Sequence, residues 1–82
     1  MLLVDIFVPS VDMTYNFSLN ETIEIEVLIQ EIVEMICQKE KTKYAGNPDR
    51  LHLYNRENGE RLSKNAVLED CGISTGARLI LV

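Results

Sequence analysis

Ile25, Leu28, Ile29, Ile32, Val33 and Ile36 fall at i, i+3, i+4, i+7, i+8 and i+11, a spacing that sets all six on one face of a helix and that a period of two cannot produce. One amphipathic helix cannot bury such a stripe against itself. The rest of the chain must supply the other wall of the core. Asn20 or Thr22 is placed to cap the start of this helix. Glu24 and Glu26 suit the positive end of its dipole, Lys39, Lys41 and Lys43 suit the negative end, and Gly46 and Pro48 are the expected stop.

The flanking segments carry a period of two. Leu2 to Val8 is rich in β-branched residues. With Asp5 facing water, alternation turns Leu2, Val4, Ile6 and Val8 inward and leaves Leu3 and Phe7 on the side of Asp5. After a turn over Pro9 to Asp12, Met13, Tyr15, Phe17 and Leu19 alternate with Thr14, Asn16 and Ser18. The two strands form a hairpin whose second member, polar on its outer side, suits a sheet edge. Beyond the helix, Arg50 to Asn55 reads as a third strand with Leu51 and Leu53 inward. Asn58-Gly59 then supplies a tight hairpin turn, opposing Asn55 to Leu62 and leading into a short fourth strand at Arg61 to Ser63. Gly72 and Gly76 bend the chain into a fifth strand with Leu79 and Leu81 inward and Arg78, Ile80 and Val82 outward. The expected fold class is α+β, a β-grasp of order β-β-α-β-β-β in which a mixed five-stranded sheet packs on one helix, as a single domain over residues 1–82.

Composition narrows the possible functions. Hydrophobic residues make up 46% of 82 residues, enough for one compact core and too many for a disordered linker. No apolar run reaches the length of a membrane span, and no basic stretch precedes an apolar one as in a signal peptide, so direct membrane insertion is not expected and the cytoplasm is the expected location. Thirteen acidic against eight basic residues give a formal charge of −5, which opposes binding to nucleic acid or anionic lipid. Cys37 and Cys71 are far apart in sequence, and the one His of the chain has no clustered ligands. The cysteines read as reduced packing residues, and neither a metal site nor a cofactor is expected. No phosphate-binding glycine loop or catalytic constellation is present, and Glu69-Asp70 falls in a turn.

The closing segment Val67-Leu68-Glu69-Asp70-Cys71-Gly72-Ile73-Ser74-Thr75-Gly76-Ala77-Arg78-Leu79-Ile80-Leu81-Val82 resembles the end of ubiquitin, with its Leu-x-Asp-x-x-Ile…Leu-x-Leu pattern. Arg50-Leu51-His52-Leu53 and the Asn58-Gly59 hairpin extend the likeness. Within the ubiquitin-like proteins the chain is similar to the small bacterial YukD/EsaB family, found beside WXG100 (type VII) secretion systems. The likeness rests on Val4-Asp5-Ile6-Phe7-Val8, on Ile25-x-x-Leu28-Ile29-x-x-Ile32 and on Leu68-x-Asp70-Cys71-Gly72-Ile73-x-x-Gly76-x-x-Leu79. These are core and turn positions, which speak to fold more than to role. The resemblance implies a non-catalytic accessory or regulator whose partner is a protein, such as a membrane component or ATPase of that apparatus. Conjugation and sulfur-carrier chemistry need an extended Gly-Gly tail, and this sequence stops at Val82. A carrier or modifier whose tail lies outside this chain, and a self-associating structural domain, are the alternative readings.

A candidate surface follows from the outward residues. In a β-grasp the last strand lies between the first and third, so Leu3, Phe7, His52, Tyr54, Ile80 and Val82 should share one outer face, with the stems of Arg50 and Arg78 beside them. Contiguous apolar surface of this kind marks a protein interface. By resemblance, His52 and Ile80 match two positions of the main recognition patch of ubiquitin, with His where an aliphatic residue is expected. The same side chains could instead be scattered or covered in a homodimer. Strand two could accept a partner strand at its edge, and the acidic helix face of Glu26, Glu31 and Glu34, with Gln30, could meet a basic partner.

Overall fold

The computed structural model describes residues 1–82. Strand β1 (Leu2–Val8) and strand β2 (Met13–Leu19) form the first hairpin, paired antiparallel over their full length from Leu2↔Leu19 to Val8↔Met13. Their connection is a 3-10 turn at Pro9–Val11 that ends on Asp12 in the left-handed region, φ 51°. Helix α1 spans Ile25–Glu40, strand β3 spans Leu53–Asn55 and strand β4 spans Arg78–Leu81. The sheet order is β2-β1-β4-β3, with β4 parallel to β1 and antiparallel to β3.

The core follows the two periodicities. Val4, Ile6 and Val8 of β1, Leu79 and Leu81 of β4 and Leu53 of β3 meet Ile25, Leu28, Ile29 and Ile32 of α1, and all 15 buried residues are hydrophobic. Val33, Ile36 and Leu51 are only partly buried at the margin of this cluster.

The sheet has four strands, not the five expected. Arg61 makes a single bridge to Tyr54, and the Leu62 N–H reaches the Leu53 carbonyl at 2.8 Å, but the chain then leaves the sheet. Its carbonyls are taken by the helix instead: Ala66 accepts from the Ile25 N–H at 2.9 Å and Lys64 from the Glu26 N–H at 3.0 Å. These contacts also replace the expected side-chain caps. Glu24 is the N-cap and makes no side-chain capping bond, while the Asn20 carboxamide oxygen is occupied by the Thr22 N–H and hydroxyl. An amino-terminal helix turn needs acceptors, and here the main chain of residues 64–66 provides them.

Two further expectations are corrected. The helix ends well before Gly46, with Lys41 at φ 54°, the Thr42 N–H on the Cys37 carbonyl at 2.9 Å and the Lys41 N–H on the Gln38 carbonyl at 3.3 Å. That is a Schellman closure with lysine in the place usually held by glycine, and Lys39 alone remains in the last helical turn. The hairpin after β3 is wider than a two-residue turn. Tyr54 opposes Arg61, the Asn55 N–H meets the Glu60 carbonyl at 2.8 Å, and only Gly59 is left-handed, at φ 74°. The shift from the expected register is even, so Leu62 still faces inward and is buried.

Candidate functional site

The outer face of the sheet is set by strand register. Phe7 lies beside Ile80, and Ile80 beside Tyr54, so three non-polar or amphipathic side chains stand side by side across β1, β4 and β3. One pleat further along, His52 and Val82 exchange main-chain hydrogen bonds of 2.8 and 3.0 Å, continuing the β3–β4 ladder and the same outward row. Phe7, His52, Tyr54 and Ile80 are half-buried, while Val82 is 54% exposed. Arg78 lies outward next to Asp5 in register, with its Nε 3.9 Å from a Glu57 carboxylate oxygen.

Two expected members stand apart. Leu3 is exposed on the same face but lies roughly 13 Å along β1 from Phe7, beyond the Asp5–Arg78 step. Its main chain meets the loop before β4, where the Gly76 N–H reaches the Leu3 carbonyl at 2.8 Å. Arg50 is not in a strand: Pro48–Arg50 is a 3-10 turn capped by the Asn47 side chain, which removes Arg50 from the row of the sheet. A proline and an Asn-x-Asp pattern favour that turn over an extended start to the strand.

Arg56 is the member that the sequence pattern did not single out. Its N–H bonds the Arg78 carbonyl at 2.9 Å, and its guanidinium carbon sits 5.2 Å from the centroid of the Phe7 ring, so it covers that ring as a cation–π lid. Continuing the alternation of His52 and Tyr54 by one step would have found it. Arg61 is bridged to Tyr54, and the Lys64 ammonium donates to the Asp49 carbonyl. Arg61 and Lys64 are the two charges acting on His52, whose imidazole is held below its ordinary pKa first by burial and then by these cations. The charge of the chain is accordingly segregated. Residues 1–40 carry eight acidic and one basic side chain, and residues 41–82 carry five acidic and seven basic. Along the Phe7–Ile80–Tyr54 row, Arg56 covers Phe7, Arg61 bridges Tyr54, and Arg78 precedes Ile80 on β4 beside Asp5 and Glu57, while Lys64 acts on His52 and its ammonium donates to the Asp49 carbonyl. Glu26, Gln30, Glu31 and Glu34 are exposed on the helix side.

No group of three or more His, Cys, Asp or Glu residues could hold a metal ion. Both cysteines are free and partly buried, and the Cys71 thiol is pushed up in pKa by burial and by Asp70, the opposite of what a reactive thiolate needs. An apolar cleft of about 340 Å³, lined by Val11, Val33, Ile36, Tyr44 and Leu51 among others, opens at the end of the sheet and adjoins the outer row at Val82. No helix is long and apolar enough to cross a membrane.

The family profile described as "WXG100 protein secretion system (Wss), protein YukD" matches residues 3–81. A search of curated proteins gave no significant match. Among solved structures, the chain is similar to the N-terminal ubiquitin-like domain of the 4931431F19Rik protein, at TM-score 0.75 and 22% identity over 99% of this chain and 72% of that one. It is also similar to the ubiquitin-like domain of Arabidopsis thaliana protein At2g32350, at TM-score 0.72 and 17% identity over 99% of this chain and 74% of that one. At such identities these two establish the ubiquitin-like fold alone.

Proposed function

This chain belongs to the YukD family of the WXG100 protein secretion system, and from that premise we propose that it is a non-conjugating, non-catalytic cytoplasmic accessory or regulator that binds a protein component of that apparatus through the outer face of its sheet. The observation that carries the reading is the registered row Phe7–Ile80–Tyr54, continued by His52 and Val82. A contiguous row of this kind beside a complete buried core supports an interface for another protein.

The border of the row suggests the chemistry of the partner. Arg56 and Arg61 flank the apolar side chains at Phe7 and Tyr54, so the fitting ligand is a protein segment with an aliphatic or aromatic anchor flanked by carboxylates. A membrane component or ATPase of the secretion system exposing such a segment is the partner class we assign. Opposed charges at the rim would speed encounter and set orientation, and the apolar row would supply the affinity.

The test is affinity capture from native lysate, comparing the wild-type protein with an Ile80→Lys variant whose circular dichroism matches the wild type. WXG100 secretion components enriched by the wild type and lost with the variant would support both the partner class and the face. Equal recovery by both proteins would reject the face. Recovery of covalent adducts stable to denaturation would reject the non-conjugating reading.

A further inference from the structure

The two edges of the sheet are built differently. Strand β3 is three residues long, enters from the Pro48 turn, and has its outer side taken by Arg61 and Leu62 through the bridge to Tyr54 and the bond to the Leu53 carbonyl. Strand β2, at the other edge, runs for seven residues with no proline and no charged residue. Residues 13–20 are the longest uncharged run in a chain that is 26% charged. Natural edge strands are usually blunted by lysine, proline, a bulge or a covering element. The β2 edge has none of these.

The direction of its main-chain groups follows from the ladder. The Asp5 N–H and the Leu3 carbonyl of β1 are used on the β4 side, by Ala77 and Gly76. The groups of Leu2, Val4, Ile6 and Val8 therefore point to β2, where their partners are Leu19, Phe17, Tyr15 and Met13. The N–H and C=O groups of Thr14, Asn16 and Ser18 point the other way, out of the sheet. No hydrogen bond within the protein engages them.

The strand is also chemically palindromic. On either side of Asn16, Tyr15 is matched by Phe17, Thr14 by Ser18, and Met13 by Leu19. An isologous contact requires a surface that is complementary to itself. We propose that two copies of this chain associate through antiparallel β2–β2 pairing about a two-fold axis at Asn16, which joins two four-stranded sheets into one. In that register Asn16 faces Asn16, Thr14 faces Ser18 and Tyr15 faces Phe17 across the axis. The three outward-pointing residues of each copy then form about six main-chain hydrogen bonds. The hydroxyls pair on the outer face, and the aromatic rings pair on the inner face, where Tyr15 and Phe17 already lie 6.1 Å apart within one copy. The charges nearest the inner side of the seam are Lys39, 5.5 Å above the Tyr15 ring, and Glu40, which accepts from the Tyr15 hydroxyl at 3.1 Å; they are of opposite sign. At the strand ends, Glu21 is paired with the Met1 ammonium at 3.0 Å and Asp12 comes opposite Asn20. On the outer side the nearest charge is Asp5, one strand back on β1, whose carboxylate accepts from the Asn16 amide at 2.9 Å. The facing β2 residues themselves carry no charge, so two copies of net charge −5 can meet along them.

Sedimentation equilibrium over roughly 10 µM to 1 mM, the range expected for a seam of this limited area, tests the inference. The wild type is expected to rise from the 9.4 kDa monomer toward twice that mass. A Thr14→Lys/Ser18→Lys variant and a Thr14→Glu/Ser18→Glu variant should each remain monomeric, because each places like charges face to face. An equimolar mixture of the two should recover the dimer, since residue 14 of one copy then faces residue 18 of opposite charge on the other. Both pairs are exposed positions, so folding is preserved. A wild type that stays monomeric at 1 mM, or a lysine variant that dimerises as the wild type does, would overturn the proposal. So would mixing that fails to restore association.

Discussion

Leu79 and Ile80 are neighbours on the strand at the middle of the fold, and replacing each with alanine should have unequal consequences. Leu79 is fully buried, between Ile6 on β1 and Asn55 on β3. Ile80 is half-exposed on the opposite face. Leu79→Ala removes transfer free energy and leaves a cavity in a core without polar groups, at a cost of about 2–5 kcal/mol. A chain of this size has a total stability of roughly 4–12 kcal/mol, so the loss is a large fraction of it. Ile80→Ala gives up only part of an isoleucine's burial, about 1 kcal/mol. In urea, with a slope near 1 kcal/mol/M for so small a domain, the midpoint should fall by about 2 M or more for Leu79→Ala and by about 1 M or less for Ile80→Ala, with unchanged slopes. Circular dichroism against urea measures both. Equal losses for the two variants would refute the assignment of one residue to the core and the other to the outer face.

His52 should titrate below a free imidazole, and Lys64→Gln or Arg61→Gln should move it back upward when followed by NMR. Because its pKa is lowered in the folded protein, the unfolded chain binds the proton more readily, so this residue contributes stability above the unfolded pKa that is lost as pH falls through the folded one. Tyr15 is shifted the other way, by burial and then by Glu40; its contribution is complete below the unfolded pKa and is lost as pH rises past the folded one, as ultraviolet difference titration alongside unfolding at alkaline pH would show. Lys41→Gly should raise stability by up to about 1 kcal/mol in thermal unfolding, since φ 54° strains lysine and suits glycine. A loss of stability in that variant would exclude left-handed strain at the helix end.

The sequence carried the helix face and the first hairpin with little error, because long periodic runs leave one reading: Leu2–Val8 and Met13–Leu19 are strands with the bounds expected. The failures have physical causes. Arg61 to Ser63 is too short a run to distinguish a bridge from a ladder, and what decides it is the helix start, distant in sequence, competing for the carbonyls of Lys64 and Ala66. The helix end escaped notice because its left-handed residue is a lysine with no compositional signal. On the outer face, alternation places Phe7, His52, Tyr54, Ile80 and Val82 in one row, because their register follows from strand order. Leu3 was included because sequence does not show that β4 begins opposite Asp5. Arg50 falls outside the row because the expected first residue of the strand is the last residue of the Pro48–Arg50 turn, and Arg56 lies one step beyond the expected strand end at Asn55.

The most direct test of partner binding by the outer sheet face is a map of backbone amide shifts in the labelled protein as the captured secretion component is added. Changes should concentrate at Phe7, His52 to Arg56 and Arg78 to Val82, and weaken as salt rises. Changes confined to the exposed side of α1, around Glu26 to Glu34, with residues 78–82 unmoved, would place the contact on the opposite side of the molecule and end the sheet-face reading.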